Sequence, residues 1–169
     1  FSVGGTPAAS LMKIAVVSDI HGNLHALEAV LAAIAEMSPD EVWSLGDVVG
    51  YGAFPNRCAS LIAAQATVGL AGNHDLAAIG RLSIGEFSAD AAVAARWTAN
   101  ELDGNAREYL ATLAPELKRP GADLFHGSPR DPIWDYVLSN ESARESLALT
   151  TAPLVLVGHT HVPLALAEE

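Results

Sequence analysis

Two observations predict an α/β fold. Short, apolar, β-branched runs alternate with segments of helical periodicity, and five of those runs stop at a polar cluster containing Asp, Asn or His beside Gly. Alternation of this kind implies parallel strand pairing through right-handed crossovers.

The first run is Lys13–Ser18, which ends at Asp19-Ile20-His21-Gly22-Asn23. Asn23 is a natural N-cap. After it Leu24, Leu27, Leu31 and Ile34 recur at spacings of three and four, the signature of one helical face. That helix should stop at Ser38-Pro39, because proline disfavours helical backbone in the residue before it. Glu41–Leu45 reads as the second strand, ending at Gly46-Asp47, and Asn56–Gln65 as the second helix. Thr67–Leu70 reads as the third strand, followed by Gly72-Asn73-His74-Asp75. An alanine-rich stretch from Phe87 to Leu113 predicts two helices broken near Asp103-Gly104. Ala122–Phe125 is a strand ending at His126-Gly127, and residues 141–149 read as helix. Pro153–Val157 is a late strand ending at Gly158-His159-Thr160-His161, and Leu164–Ala167 is expected to begin another.

Composition narrows the function. Half of the 169 residues are hydrophobic and 17% are charged, which marks a globular chain with a sizeable core. The net charge is -11, from 9 basic and 20 acidic side chains. That argues against a surface that grips nucleic-acid phosphates and against attraction to anionic membranes. An acidic protein that handles phosphate needs local neutralisation, for which bound cations serve. The single cysteine, Cys58, rules out an intrachain disulfide, in keeping with a cytoplasmic setting, and reads as a small buried residue on a helix. Residues 1–11 read as an N-terminal extension or expression remnant before a native start at Met12-Lys13. Residues 147–167 lack Asp, Glu, Lys and Arg, but their prolines, glycine and histidines argue against a membrane span.

Ligands of open α/β sheets bind beyond the carboxyl ends of the strands. Five strand ends would therefore bring Asp19, His21, Asp47, Asn73, His126, His159 and His161 to one crevice. Imidazole nitrogens and hard oxygens suit manganese, iron, zinc or nickel rather than calcium. Asp19-x-His21 and His159-x-His161 each place two donors on one side of extended backbone. Seven donors exceed what one zinc-type centre takes, so two metals sharing Asp47, which stands alone at its strand end, are expected. Each block has a plainer reading in isolation: Asp-x-His and Gly-Asn-His-Asp as turns, His126 as a capping or core histidine. The ordered set of five is what specifies a metal centre.

Those ordered blocks, Asp-Ile-His-Gly-Asn, Gly-Asp-Val-Val-Gly, Gly-Asn-His-Asp, His-Gly-Ser and Gly-His-Thr-His, resemble the calcineurin-like metallophosphoesterase superfamily, closest to its small bacterial and archaeal phosphodiesterase-type members. The resemblance runs from about Lys13 to Val162. It implies a four-layer α-β-β-α sandwich of two mixed sheets flanked by helices. It implies one metal held by Asp19, His21, Asp47 and His161, and another by Asp47, Asn73, His126 and His159. His74 matches the family's non-ligand histidine beside the substrate, and Asp75 the acidic residue that orients it. Family members continue past Gly-His-x-His, so a domain over 12–169, truncated at its C-terminus with an incomplete second sheet, is expected.

The implied activity is two-metal hydrolysis of a small phosphate ester, a phosphodiester first, with manganese the favoured metal. Two alternatives are a phosphomonoesterase on nucleotides or phosphoproteins and a non-catalytic protein-binding scaffold. A third, weaker one is a mononuclear hydrolase. The phosphoprotein-phosphatase branch carries an arginine where this chain has Val49-Gly50-Tyr51-Gly52, which disfavours that substrate; the presence of His74 favours an enzyme. Arg130 is a candidate phosphate contact, Trp134 a candidate stacking surface, and Tyr51, with Phe54 and Arg57, a candidate wall of the crevice. His25, one helical turn past His21, reads as a solvated helix face.

Overall fold

The computed structural model describes residues 12–167. Residues 1–11, read above as an extension, lie outside the described residues.

Strand β1 (Ile14–Val17) leads into helix α1 (Leu24–Met37). Asn23 caps α1 by accepting from the Ala26 amide at 3.2 Å, and Ser38 ends it in the left-handed region at φ 47°, directly before Pro39. Strand β2 (Glu41–Ser44) follows, then α2 (Pro55–Gln65), with proline in its first turn where no amide is needed. Strand β3 is short (Val68–Gly69) and passes into α3 (Asn73–Ala78). The predicted helical middle is α4 (Ala89–Glu101) and α5 (Gly104–Ala111), separated at Leu102-Asp103. Asp103 caps α5 through the Ala106 amide at 2.8 Å. Strands β4 (Glu116–Arg119) and β5 (Ala122–Phe125), helix α6 (Asn140–Leu147) and strand β6 (Val155–Val157) complete the order.

The strands form two open three-stranded sheets. One runs β1-β2-β3, parallel in every described pair, as its helical crossovers require. The other runs β4-β5-β6 and is mixed: β4 and β5 are an antiparallel hairpin, while β6 joins β5 in parallel. Trp43, Leu45, Val68 and Leu70 from the first sheet bury against Ala122 and Leu124 from the second, with Ile14 and Leu156 at the margin. On the other face of the first sheet, Val17, Val48 and Val49 pack against Leu24 and Leu27 of α1, Ile62 of α2 and Leu110 of α5. Helix α6 lies beside β6, with Ala143 and Leu147 sharing a small cavity with Val155 and Val157. The result is helix, sheet, sheet, helix, an α/β sandwich.

Three local expectations change. Strand β4 was not anticipated: Glu116-Leu117-Lys118-Arg119 has one apolar residue, and it is held by hairpin pairing to β5 and by Arg119, 3.1 Å from Glu41 of β2. Residues 73–78, for which no helix was expected, form α3, because Asp75 accepts from the Gly72 amide at 3.0 Å and satisfies the helix start. Residues 164–167 form no strand, so among the described residues the second sheet ends at β6. No described helix is long and apolar enough to cross a membrane.

Candidate metal centre

The strand ends converge because the ladders continue past the strands as loop-to-loop bonds. The amides of Asp19, His21 and Gly22 donate to the carbonyls of Gly46, Asp47 and Val48 at 3.0, 2.8 and 3.0 Å, which sets the β1 and β2 loops in register. In the second sheet, Gly158 donates to the His126 carbonyl at 2.9 Å. The two sheets meet where the His159 amide donates to the Asp19 carboxylate, at 3.2 and 3.1 Å to its two oxygens. Within the first sheet, close approach of the β3 end to the β2 loop needs glycine. A Cβ on Gly72 would lie 2.0 Å from Asp47 Oδ1.

Backbone strain is concentrated here. Asp19, His21, Asp47, His159 and His161 all have φ between 50° and 66°, a region costly for residues bearing a Cβ. Tyr51, with φ 51°, joins them in the same crevice. A plain turn would place glycine at such positions. Holding five donor residues there is characteristic of a site whose side chains are needed.

The seven expected donors are brought together. His21 Nε2 lies 3.0 Å from His161 Nε2 and 3.6 Å from Asp47 Oδ2, and His161 Nε2 lies 3.4 Å from Asp19 Oδ1. His126 Nε2 lies 3.5 Å from the same Asp47 Oδ2 and 3.3 Å from Asn73 Oδ1. Asp19, His21 and His161 form one cluster of facing donor atoms, and Asp47, His126 and His159 another; His21, Asp47 and His74 form a third. Asp47 Oδ1 is occupied by the His74 amide at 2.9 Å, which leaves Oδ2 between the two halves.

The imidazoles are oriented from behind. His126 Nδ1 lies 2.9 Å from the Leu45 carbonyl and His21 Nδ1 3.3 Å from that of Val49, so each Nε2 lone pair turns into the crevice. His159 Nε2 is buried with no hydrogen-bond partner. Burial lowers the pKa of His21 and His159 to about 4, so both are neutral donors at neutral pH. Burial, with the carboxylates of Asp75 and Asp19 adding, pushes Asp47 well above its ordinary value. Among the described residues no Lys or Arg lines the crevice to offset that charge. Neutral nitrogens and crowded buried carboxylates, one nitrogen orphaned, are what a divalent cation satisfies, so this donor set fits metal.

The other expected residues fall out differently. His74 is buried at the crevice floor, its Nδ1 has no hydrogen-bond partner, and burial lowers its pKa to about 3. Asp75 does not reach the His74 ring through any hydrogen bond. Its carboxylate accepts from the amides of Val48 at 3.2 Å, Val49 at 2.9 Å and Gly72 at 3.0 Å, so it fastens the Asp47 loop to α3. Tyr51 and Trp134 line the crevice, which encloses about 310 Å³. Arg130 does not line it: its guanidinium is engaged by Asp135 at 2.8 Å and Glu145 at 2.6 Å, which corrects its expected role as a phosphate contact. Tyr136, Phe87 and Glu86 line the crevice without having been anticipated. Tyr136 stacks on His159 with ring centroids 4.0 Å apart. Its signal was available, two residues beyond Trp134 in the loop after His126.

The comparisons agree with this geometry. The uncharacterized protein MJ0912 of Methanocaldococcus jannaschii is 35% identical over 161 residues, 92% of this chain and 65% of its own length. The crystal structure of a metallophosphoesterase from Sphaerobacter thermophilus superposes with a TM-score of 0.79 at 42% identity, over 90% of this chain and 61% of that one. The hypothetical protein PH1004 from Pyrococcus horikoshii OT3 shares the fold, with a TM-score of 0.78 at 22% identity over 91% of this chain and 71% of that one. The chain thus spans less than two thirds of the length of the first two. The family model for calcineurin-like phosphoesterases matches residues 12–163, which takes in all five strand-end clusters, and the chain belongs to that family.

Proposed function

We propose that this chain is the catalytic domain of a phosphodiesterase working with two divalent metal ions, manganese favoured. One observation carries the reading: Asp19, His21 and His161 face one another, Asp47, His126 and His159 face one another, and Asp47 Oδ2 lies 3.6 Å from His21 Nε2 and 3.5 Å from His126 Nε2, beside a crevice with no Lys or Arg among its described lining residues.

Asp19, His21 and His161 would hold one ion and Asn73, His126 and His159 the other, with Asp47 available to both. When bound, such a pair supplies Lewis acidity and brings the pKa of a water down to about 7. The chain's own contribution is placement. The Asn73 amide borders the phosphoryl position and donates to a non-bridging oxygen. His74, neutral at working pH, donates a hydrogen bond to the leaving oxygen rather than acting as an imidazolium acid. Asp75 keeps the Asp47 loop at the height this requires.

Beyond the ions themselves, the described crevice lining offers Glu86 and no Lys or Arg to meet the second negative charge of a monoester, which supports a diester. The net charge of -11 likewise supports a small ester over a nucleic-acid strand.

The test is hydrolysis of bis(para-nitrophenyl) phosphate against para-nitrophenyl phosphate, with manganese added and metal content counted. A larger kcat/KM for the diester with two ions per chain is expected. Preference for the monoester would replace the reading with a phosphomonoesterase, and one ion per chain would replace the paired centre. His74→Ala should lower kcat about a hundredfold with metal content intact; unchanged turnover would remove His74 from the reaction.

A further inference from the structure

The donor cluster does not sit at the bottom of a single pit. It forms the waist between two concavities. The crevice described above lies on the His74 side and carries Phe87, Trp134 and Tyr136. A second, more open groove of about 460 Å³ lies on the other side of the same three residues, His21, Tyr51 and His161, and is walled by His25, Ala53 and Phe54.

We infer that this second groove is the subsite for the retained arm of a phosphodiester, which spans the metal centre with its leaving arm in the aromatic crevice. The inference rests on the phosphodiesterase reading above. Three observations support it. His74 lines the first crevice and not the second, which assigns the leaving oxygen to the first side and the spectator ester to the other. The groove wall is held to the donor segment itself: Gly52 donates to the His21 carbonyl at 2.8 Å and Phe54 to that of Gly22 at 3.1 Å. It also presents a ring surface to solvent. Phe54 is 41% exposed, meets His25 edge to face at 5.6 Å, and stands beside Tyr51, itself 53% exposed.

Among the described residues no Lys or Arg lines the groove. The arm it takes is therefore a neutral, ring-bearing alcohol, aryl or nucleoside in size, rather than a second phosphate.

Two substrates with one leaving group isolate the subsite: bis(para-nitrophenyl) phosphate, whose retained arm is a ring, and methyl para-nitrophenyl phosphate, whose retained arm is a methyl group. The readout is the ratio of their kcat/KM values, in each variant relative to the unmodified protein, so intrinsic reactivity cancels. Phe54→Ala should lower that ratio about fivefold, mostly through KM for the ring-bearing diester. Ala53→Trp, which fills the groove from an exposed position, should lower it at least as far. A ratio unchanged in both variants, with metal content and melting temperature preserved, overturns the subsite while leaving the phosphodiesterase reading intact. Failure of the unmodified, metal-loaded protein to turn over either diester refutes that reading and the subsite with it.

Discussion

Substituting Gly72 by alanine probes the centre without touching a donor. Gly72 has φ -92°, a conformation open to alanine, so the backbone gives no objection. The obstacle is the space a methyl group would take. Its Cβ would lie 2.0 Å from Asp47 Oδ1, 2.5 Å from Asp47 Cγ and 2.5 Å from the Asp47 amide nitrogen. Restoring even a tight contact requires the carboxylate to retreat by about 1 Å, several times the ~0.2 Å tolerance of a coordination bond. Overpacking of this kind costs about 1–3 kcal/mol in stability. A 1 Å displacement of a shared ligand costs about a hundredfold in turnover. Gly72→Ala should therefore fold, melt several degrees lower, and retain less than the full metal complement by inductively coupled plasma mass spectrometry. Wild-type metal content together with wild-type diester hydrolysis would refute the placement of Asp47 at the junction of the two donor groups.

Gly104→Ala serves as the contrasting substitution: a Cβ there meets nothing within 4 Å, at the start of α5, so stability should rise by about 0.5 kcal/mol in urea titrations. Asp75→Asn replaces one oxygen of a fully buried carboxylate that accepts three amides, and should cost about 2–3 kcal/mol by the same measurement, with metal affinity falling as the Asp47 loop loosens. The Cys58 thiol is buried and pushed up to about 11, chiefly by burial. It should resist alkylation at pH 8 until the protein unfolds. Because the unfolded thiol ionises first, this residue's effect on stability is absent below its ordinary value of 9.0 and becomes a loss as pH rises from there toward 11. Removing metal with a chelator should lower the melting temperature, since an ion present at a hundred times its Kd contributes about 2.7 kcal/mol; an unmoved transition would show that the donor set binds no cation.

What could be read beforehand was what local pattern governs. The runs at Ile14–Val17, Glu41–Ser44, Ala122–Phe125 and Val155–Val157 announced themselves through apolar side chains, and Asn23 and the Ser38-Pro39 pair marked α1. The residues that gather at the strand ends were legible for the same reason, since Asp19, His21, Asp47, His126, His159 and His161 each follow such a run and Asn73 follows the shorter third strand. Strand β4 was hidden because Glu116, Lys118 and Arg119 answer to a partner strand and to Glu41 rather than to burial; the Pro120-Gly121 turn was its only local trace. Helix α3 was hidden because its start is stabilised by Asp75 in a segment whose composition suits a turn equally well. Arg130 was misjudged because an arginine near a phosphate site and one paired with Asp135 and Glu145 look identical until the chain folds. The left-handed backbone at five donors could not be read from residue type, because Asp and His tolerate that region better than most side chains yet adopt it in only a minority of positions.

The division of the donors between the two sheets has a practical corollary. Asp19, His21, Asp47 and Asn73 all precede α5, whereas His126, His159 and His161 all follow β4. Severing the polypeptide between those elements would yield two pieces, neither owning a complete coordination set. Metal capture would then report reunion of the pieces, so the protein could be cut into a complementation sensor whose signal is silent until both fragments are held together.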